Sequence, residues 1–592
     1  MQSRCAHLLW SILLLHSASV WAQDVTAIVS GTLIDGTGSS PQQNTIIVIR
    51  GNRIESIRTD GKVPNGARVI DATDKFIVPG LWDKHLHYKD WFPEMLIANG
   101  VTSAFVQGGG PWLHAQNEGV AKGKILGPRM FFRERKFDVF SSVEEARNTA
   151  RSEIRRLQPS FVKVYTGITP EHLKVVAEEA HRAGLHIEGH LGISARDAIE
   201  AGIDGLTHAS GIAYSTVRPE VLEMLPDMRV IDSGYRRVRW PHISSWDESR
   251  TGGPNPDISE YWLYLEDPRR LMLFGMMDRD MARDLIKLMV DENVFIESCL
   301  TYIFRHVHDR MEQYRAEDYL LLGDPDLHYI PELVRKNVLD YTLLDKVNEQ
   351  ELALMKKGYK NFQWFFKTFV DAGGRLLLGP DTTSINHATM LPGVVTRREM
   401  QLLVDSGISP MQAIQAGTLW AAEAIHQDED LGSVEEGKIA DLLILPRNPL
   451  DDITAYKDIE LVMQNGRVLD HGFHYYFNNP IPWPAGNVIS YADEGFGPVT
   501  EIPASIEGIS PRAVVEGGGD IALNVTGGDF ISTSTIEFDG QWLETELINP
   551  GEVRATVPAR LVQNVGTYSV RVAHRKPGWG KTNTMYLIVK FK

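Results

Sequence analysis

Cysteine is nearly absent from this sequence of 592 residues, which contains only two, Cys5 and Cys299. Cys5 falls in an amino-terminal segment that we expect to be removed, so Cys299 would stand alone in the mature chain. A chain with one cysteine cannot form an intrachain disulfide, although small exported domains commonly depend on disulfides. Stability must therefore come from a large apolar core and from any bound metal.

The sequence also lacks a long basic run, and its formal net charge is -17. Nucleic acids are polyanions, and proteins bind them through clustered lysines and arginines. Nucleic acid is therefore not an expected partner of this protein. A small molecule is the expected ligand instead.

Long apolar segments are missing as well, except near the amino terminus. Residues 1–22 combine Arg4, a mostly apolar run from Leu8 to Val20, and a cleavage motif that ends at Ala22. The apolar run is shorter than the roughly 20 residues of a membrane-spanning helix, which favours a signal peptide over an anchor. We therefore expect cleavage near Ala22 and an exported protein, periplasmic or extracellular, with no membrane span in its mature chain.

Composition divides the remainder of the chain into several regions. Strand-like runs at 23–75 and again at 430–475 flank a long central region, and they predict one small β-sandwich domain built from both ends of that region. Within the second run, Asn465-Gly466 is typical of a hairpin turn. Residues 476–503 are rich in Pro, Gly and aromatic residues, as in a linker, and short alternating runs over 504–592 predict a second β-sandwich.

The central region, residues 76–429, repeats apolar runs with helical segments between several of them. Thr169-Pro170, for example, is a helix cap followed by proline at the first helical position. Eight runs over about 330 residues predict an α/β fold, a (β/α)8 TIM-like barrel with insertions, although other α/β folds produce part of this pattern. The runs are Val78–His87, Val101–Val106, Arg129–Phe132, Phe161–Tyr165, His186–His190, Gly205–His208, Val294–Leu300 and Arg375–Asp381.

The first run ends in two histidines, His85 and His87, separated by one residue. Side chains repeat every two residues along a strand, so both imidazoles would project from one face, where they suit a metal. Two histidines alone would more often be structural. The later runs, however, add further polar residues, which are Lys163, Tyr165, His190, His208 and Asp381. A lysine inside such a run is costly unless it is paired or modified, so this set predicts a functional site.

These stretches closely resemble the amidohydrolase superfamily. The resemblance is carried by Gly80–His87, Phe161–Tyr165, Glu188–His190, Gly202–His208 and Leu378–Asp381. It extends over about residues 25–475, and the Lys-x-Tyr pair with the segment from His190 to His208 looks most like the imidazolonepropionase- and prolidase-like branch. The resemblance implies a (β/α)8 barrel with a flanking β domain.

The resemblance also implies a pair of divalent metal ions bound at the strand ends. In this family, the two histidines of the first strand and an aspartate hold one ion, and two later histidines hold the other. A lysine carboxylated by carbon dioxide bridges the two ions. The implied ligands here are His85, His87, Lys163, His190, His208 and Asp381. Zinc is the expected metal because imidazole and carboxylate ligands suit it, with manganese, cobalt and iron as alternatives.

The chemistry implied by the resemblance is hydrolysis by metal-activated water. Water held between two divalent ions ionises near neutral pH and becomes the nucleophile. Asp381 would take up its proton and return it to the leaving group. Tyr165 would hydrogen-bond either the developing oxyanion or a carboxylate of the substrate.

Two features depart from the family pattern. The segment Phe131–Lys136 lacks the glycine- and histidine-rich loop that many relatives have after the third strand. Pro380 replaces the more usual small polar residue before Asp381, which constrains the backbone without removing the ligand.

Two insertions follow strand ends, where barrel enzymes build their pockets. The first, residues 211–274, carries three arginines that could clamp a substrate carboxylate, Arg236, Arg237 and Arg239. The second, residues 302–341, is rich in His, Arg and Tyr. Each insertion could form a lid, or could pack on the barrel or take part in subunit contacts. We expect short helices in both, because loops of this length seldom lack structure.

The carboxyl-terminal sandwich resembles an immunoglobulin-like IPT/TIG domain. The resemblance is carried by Ile509-Ser510-Pro511, Val525–Phe530 and Gly566–Val572. Such domains usually act as interaction or spacer modules, so their expected partner is another protein or a surface. The sequence leaves open whether the chain forms a homo-oligomer.

Two functions of different classes follow from these observations. The first is a secreted binuclear metal-dependent hydrolase that cleaves an amide or peptide bond of a small substrate, such as a dipeptide or an N-acyl amino acid. Cyclic-imide hydrolase, deaminase and lactonase are the alternatives within that class. The second is a non-catalytic exported binding protein whose barrel is only a scaffold. The ligand set favours an enzyme, because a scaffold has no need to keep costly polar residues together.

Overall fold

A computed structural model of the protein describes residues 25–224, 268–339, 348–382, 390–483, 505–528, 530, 534–574 and 582–592. The predicted signal peptide and the three arginines Arg236, Arg237 and Arg239 lie outside the described residues. Within the described part of the chain, no helix combines the length and apolarity needed to cross a membrane.

The protein has a mixed α/β fold. Its strands are β1 (Val25–Leu33), β2 (Gln42–Arg50), β3 (Arg53–Arg58), β4 (Arg68–Asp71), β5 (Phe76–Pro79), β6 (Leu81–Leu86), β7 (Val101–Val106), β8 (Arg129–Phe132), β9 (Lys136–Phe137), β10 (Val162–Val164), β11 (Ile187–Gly189), β12 (Gly205–Leu206), β13 (Phe295–Glu297), β14 (Leu376–Leu377), β15 (Leu442–Leu445), β16 (Leu461–Gln464), β17 (Arg467–Leu469), β18 (Ile506–Ser510), β19 (Ala513–Val515), β20 (Ile521–Gly527), β21 (Ser534–Phe538), β22 (Gln541–Trp542), β23 (Thr545–Asn549), β24 (Glu552–Val557), β25 (Gly566–His574) and β26 (Met585–Lys590).

The helices lie mainly between the strands of the central region. They are α1 (Pro93–Ala98), α2 (Pro111–Ala121), α3 (Val143–Leu157), α4 (Pro170–Arg182), α5 (Ala195–Glu200), α6 (Ile212–Thr216), α7 (Pro219–Met224), α8 (Pro268–Gly275), α9 (Arg279–Asp291), α10 (Leu300–Ile303), α11 (Met311–Leu321), α12 (Glu332–Val338), α13 (Glu349–Asp371), α14 (Val394–Asp405), α15 (Pro410–Ala416) and α16 (Leu419–Ala424). Thr169 caps α4 by accepting a hydrogen bond from the backbone N–H of His172, which confirms the predicted cap.

The two ends of the central region meet in one flanking sheet. Its strand order is β17-β16-β15-β5-β1-β2-β3, with β4 paired to β1, so strands before and after the central region lie side by side. The predicted hairpin at Asn465-Gly466 is confirmed, because β16 and β17 pair antiparallel and both turn residues have positive φ. The description of this sheet as a sandwich stays a prediction.

The strands β6 to β14, called the central strands below, pair in parallel and in chain order. One sheet contains β6-β7-β8 and a second contains β9 to β14. The third predicted run, Arg129–Phe132, coincides with β8. The chain then breaks before β9, at the segment that departs from the family pattern, where Glu134 has a φ of 56°. The last strand returns to the first, since Leu86 and Thr382 form a parallel bridge and the N–H of Lys84 donates to the carbonyl of Leu378.

Several central strands are shorter than the sequence predicts, so some candidate site residues lie just beyond the strands. The predicted run Gly205–His208 is a strand only to Leu206, and His208 lies in a 3-10 turn with a φ of 53°. The run Val294–Leu300 ends as a strand at Glu297, because Leu300 already begins a helix. The candidate ligands therefore lie at strand ends and in the first residues beyond them.

The described parts of the two insertions contain helices, as predicted for loops of this length. Residues 211–224 form α6 and α7, and the second insertion forms α11 and α12 around a 3-10 turn at Pro325–Leu327. Whether either insertion acts as a lid stays a prediction.

The predicted linker, residues 476–503, begins with residues that are packed against the central region. The side-chain amide of Asn479 exchanges hydrogen bonds with Gln116 on α2, and the indole of Trp112 donates to the carbonyl of Ile481. Trp483 packs edge-on against Trp112, with ring centroids 4.4 Å apart. This first part of the segment is thus a fixed strap, which composition alone did not reveal.

The carboxyl-terminal strands form two sheets around one apolar cluster. The orders are β18-β20-β24-β23 and β19-β26-β25-β21-β22, and Leu523, Val553 and Val570 are among the fully buried residues between them. The last strand contacts α2, where Lys590 forms an ion pair of 2.6 Å with Glu118. The assignment to the IPT/TIG class stays a prediction.

Candidate metal centre

Asp381 lies among three imidazoles at the ends of β6, β12 and β14. Its Oδ1 is 3.4 Å from Nε2 of His85 and 3.5 Å from Nε2 of His87, and its Oδ2 is 3.4 Å from Nε2 of His208. A charged N–H···O hydrogen bond is shorter, at about 2.7–2.9 Å. Nitrogen and oxygen atoms that bind one tetrahedral zinc ion at about 2.0–2.2 Å are separated, by geometry, by about 3.3–3.6 Å. The spacing is thus that of metal ligands rather than of hydrogen bonds.

The opposite nitrogens of two of these imidazoles face a second carboxylate, Glu297. Its Oε2 is 3.0 Å from Nδ1 of His85, and its Oε1 is 2.9 Å from Nδ1 of His208. The contact with His85 is a hydrogen bond. Oε1 of Glu297 is buried without a hydrogen-bond partner among the described residues, and Nδ1 of His208 lies 3.2 Å from Sγ of Cys299. Two groups could by composition hold an ion, either His85, His87 and Asp381 or His85, His208 and Glu297. The spacing of the first group fits a metal, whereas in the second group the hydrogen bond between Glu297 and Nδ1 of His85 leaves Nε2 of His85 facing Asp381.

Lys163 is buried on β10, between a hydroxyl and a carboxylate. Its Nζ donates to Oγ1 of Thr207 at 2.6 Å and to Oε1 of Glu188 at 3.2 Å. The other oxygen of Glu188 accepts a hydrogen bond from Nζ of Lys84. All three charged side chains are at most 2% exposed. The predicted bridging lysine therefore belongs to a buried ionic network.

The remaining predicted site residues line one side of the histidine cluster. The ring centroid of His190 is 5.1 Å from that of His208, and the ring of Tyr165 lies edge-on to His190 at 5.4 Å. The ammonium of Lys136 lies 4.1 Å above the ring of Tyr165. The structure thus brings together His85, His87, His190, His208 and Asp381, with Lys163 and Tyr165 beside them, whereas Arg236, Arg237 and Arg239 lie outside the described residues.

The backbone at two candidate ligands is held in an uncommon conformation. Both Asp381 and His208 have a φ of 53°, in the left-handed region that residues other than glycine rarely adopt. The segment after Asp381 is fixed by Thr382, whose hydroxyl donates to the carboxylate of Asp83, and by its bridge to Leu86. Strain of this kind is kept at functional sites when the surrounding structure enforces it.

Burial and neighbouring side chains shift the pKa values of the candidate ligands. It lowers the pKa of His85 and of His87, which favours the neutral imidazole that binds metals. Burial alone would raise the pKa of Asp381, but the imidazoles of His208 and His85 outweigh it and hold that pKa below its usual value. Burial likewise lowers the pKa of Lys163, and only a neutral amine can react with carbon dioxide.

The cluster opens to solvent on the side of His87. That side chain is 28% exposed, compared with 4% for His85 and 6% for His208. Burial lowers the pKa of His87, and the charges of Arg133 and Lys89 lower it further. Two cationic side chains therefore act on the exposed histidine of the cluster.

Four residues of the site were missed by sequence reasoning: Lys84, Glu188, Thr207 and Glu297. Three of them carried a signal, because Lys84, Glu188 and Glu297 are charged residues inside apolar runs. The argument made for the cost of a buried lysine at 163 applies equally to 84. Thr207 gave no signal, since a threonine is an ordinary residue in a strand.

Comparison with known proteins supports the family resemblance. A profile of the Amidohydrolase family matches residues 330–469. The ochratoxinase of Aspergillus niger is 22% identical to this chain over an alignment of 526 positions, which covers 75% of this chain and 86% of ochratoxinase.

Solved structures also resemble the chain. Phenylurea hydrolase B matches with a TM-score of 0.50 and 20% identity, covering 76% of this chain and 97% of that protein. Molinate hydrolase matches with a TM-score of 0.50 and 19% identity, covering 76% and 96%. At these identities the likeness establishes a shared fold.

Proposed function

We propose that this chain is a binuclear metal-dependent hydrolase of the amidohydrolase superfamily that cleaves carbon–nitrogen bonds, a proposal that its similarity to that family and to ochratoxinase supports. The proposed reaction is hydrolysis of an amide or peptide bond in a small substrate, such as a dipeptide or an N-acyl amino acid. The observation that carries the proposal is the position of Asp381 among the Nε2 atoms of His85, His87 and His208 at 3.4–3.5 Å.

The proposed ligand assignment divides these residues between two divalent ions. His85, His87 and Asp381 would hold one ion, and His190 and His208 would hold the other, with carboxylated Lys163 between them. Proteins of this family usually bind divalent metals, and the donor set of imidazoles and carboxylates fits zinc. Carboxylation removes the positive charge of Lys163, which would otherwise repel both ions.

The proposed fold is a closed (β/α)8 barrel with a flanking β-sandwich and a carboxyl-terminal immunoglobulin-like domain. The hydrogen bonds between the last and first central strands support closure. The fold shared with the two hydrolase structures supports it as well. Export after cleavage near Ala22 is part of the same proposal.

The bound ions would supply a nucleophile at neutral pH and polarise the scissile carbonyl. Asp381 then accepts the proton of the attacking water and passes it to the leaving amine, since its carboxylate is ionised and adjacent to the reaction centre. Tyr165 presents its phenol near His190, where it can donate a hydrogen bond to the substrate. Glu188 and Thr207 hold the amine of Lys163 in place.

The cationic side chains near His87 support a substrate with a free carboxylate. The charges of Arg133 and Lys89 act on His87, and a shielded pair with a carboxylate contributes roughly 1.5–3 kcal/mol. A carboxylate-bearing amide should therefore be cleaved about ten- to a hundredfold faster than its carboxamide.

Metal analysis and a matched pair of substrates test this proposal. Purified protein reconstituted with zinc should hold two ions per chain and should hydrolyse an N-acyl amino acid faster than the corresponding amide. Asp381→Asn should retain metal and lose about 10²–10⁴-fold in turnover, because an amide cannot carry the proton. A wild-type protein without bound divalent metal would contradict the proposal, as would an Asp381→Asn variant within tenfold of wild type. Equal rates on both substrates would replace the carboxylate-bearing substrate by a neutral amide, lactone or cyclic imide.

A further inference from the structure

We propose that Gln107 is a substrate-binding residue, and that its side-chain amide and the guanidinium of Arg133 form a subsite for the free carboxylate of the substrate. The inference rests on the proposed function, which favours a carboxylate-bearing amide as substrate. It adds a residue directly after β7, a strand that carries none of the candidate ligands.

Gln107 lies at the carboxyl end of β7, opposite the candidate ligand His87. Val106 and Leu86 are register partners in the parallel pair of β7 and β6, and the N–H of Gln107 donates to the carbonyl of Leu86 at 2.9 Å. The next residues of the two chains, Gln107 and His87, are therefore neighbours across this pair. His87 is also the histidine at which the cluster opens to solvent.

The side chain of Gln107 lies on the same face of β7 as Phe105, because side chains repeat every two residues along a strand. The ring of Phe105 packs against Phe161 at 5.2 Å and lies 4.3 Å from the ammonium of Lys84. This face of β7 is thus the one that contacts the aromatic and ionic side chains of neighbouring strands. Gln107 lies one step closer than Phe105 to the strand ends where the candidate ligands are found.

The amide nitrogen of Gln107 is a buried donor that the described part of the chain does not use. The residue is 6% exposed, and its Nε2 has no hydrogen-bond partner among the described residues. Most buried polar groups are paired, and leaving a buried donor without a partner is costly. An acceptor oxygen of a ligand would remove this cost on binding. The unused donor therefore indicates a binding group rather than a structural one.

Arg133 is tied to the same residue and brings a positive charge. Its Nη2 donates to the backbone carbonyl of Gln107 at 2.9 Å. Beyond the effect of burial, the charge of Arg133 lowers the pKa of His87, so this charge acts at the candidate metal centre. Carboxylate oxygens accept hydrogen bonds from amides and from guanidinium groups. The amide of Gln107 would orient a carboxylate whose charge Arg133 neutralises.

The experiment compares four zinc-loaded proteins: the wild type, Gln107→Leu, Gln107→Glu and Gln116→Leu. Leucine removes the donor at similar volume, and glutamate replaces it with a negative charge. Gln116 is the matched control, a buried glutamine whose Nε2 donates to Oδ1 of Asn479 and to the carbonyl of Ile481. Measured are kcat and KM for a panel of N-acetyl amino acids and their carboxamides, with zinc content and the Tm without substrate.

We expect Gln107→Leu to lower the ratio of kcat/KM for the acids over the carboxamides by about tenfold, mainly through a higher KM for the acids. Gln107→Glu should lower this ratio further, because two carboxylates repel each other. Zinc content should be unchanged in both. The Tm of Gln107→Leu should be no lower than that of the wild type, since only an unpaired donor is lost. Gln116→Leu should lower Tm and keep the wild-type ratio.

A Gln107→Leu variant that keeps the wild-type ratio would overturn the inference while metal-dependent hydrolysis stands. A loss of Tm in Gln107→Leu as large as that in Gln116→Leu would do the same, because Gln107 would then be a structural residue. Equal rates on acids and carboxamides in the wild type would overturn the inference together with the carboxylate-bearing substrate. A zinc-loaded wild type that cleaves no member of the panel would overturn both the inference and the proposed function.

Discussion

The central strands carry two layers of buried side chains of opposite kinds. The apolar layer is one buried cluster that contains Trp82, Phe105, Phe161, Phe295 and Leu377. The ionic layer is equally buried and consists of charged side chains and candidate metal ligands, among them Lys84, Lys163, Glu188, Glu297, His85 and His208. Apolar burial stabilises a fold, whereas buried charge rarely does. The comparison indicates that the apolar layer supplies stability and the ionic layer chemistry.

The two layers meet at Lys84. Its Nζ lies 4.3 Å above the ring of Phe105 and 5.3 Å from that of Phe161, while it also donates to Glu188. A register irregularity in β6 between Asp83 and Leu86 accompanies this contact, so that the adjacent residues Lys84 and His85 both reach buried carboxylates. The first strand thereby joins the apolar layer to the ionic one.

Among changes in the ionic layer, we expect Lys163→Ala to have the largest effect on activity. This variant removes the proposed bridge between the two ions, so we expect loss of at least one ion and a fall in activity of more than about a hundredfold. Short carboxylates such as acetate should partly restore both, because a carboxylated lysine acts through its terminal oxygens. Metal content and turnover with and without acetate provide the measurement.

The unfolding free energy of the same variant sharpens the comparison. Lys163 contributes charge rather than apolar area, so its removal should change stability far less than activity. Full activity in Lys163→Ala would refute the bridging role.

A second test separates stability from chemistry within the ionic layer. Lys84→Met leaves Glu188 with Lys163 as its remaining ionic partner, and breaking a buried pair in this way costs about 3–5 kcal/mol. The double variant Lys84→Met with Glu188→Leu removes both charges and should recover most of that loss, since apolar residues can replace a buried ion pair. Metal affinity should fall in the double variant, because Glu188 also holds Lys163. Urea unfolding and zinc titration measure the two properties.

A double variant as unstable as the single one would count against this separation. It would mean that the ion pair itself stabilises the fold.

Sequence reasoning found the residues whose type carries a signal and missed those whose role depends on partners. His85, His87 and Asp381 could be identified because their types and spacing are typical of a metal site. Glu297 gave only the signal of a charged residue inside an apolar run, because its contact with His85 forms only in the folded structure. The strand ends were also placed too late, since the left-handed φ of His208 is enforced by tertiary structure rather than by local sequence.

The fold, too, was predicted where composition carries a signal and missed where partners decide the structure. The pairing of β15 with β5 joins residues about 365 positions apart, and repeated strand-like composition at both ends was enough to predict one sheet. The strap at Asn479–Trp483 was predicted as a linker, because proline and aromatic content does not reveal that Trp112 and Gln116 provide hydrogen-bond partners.

We expect the smallest effect on zinc affinity from a change in the apolar layer. Phe161 lies two residues before Lys163 on the same run, and its ring packs against Phe105 at 5.2 Å. Phe161→Leu keeps an apolar side chain but removes ring contacts, including that with Lys84, so we expect a loss of about 1 kcal/mol in unfolding free energy. Because Phe161 contacts no candidate ligand among the interactions described above, zinc affinity should stay within twofold of wild type. A tenfold change in zinc affinity would show that the apolar layer sets the geometry of the candidate metal centre. Stability and metal binding would then depend on the same layer.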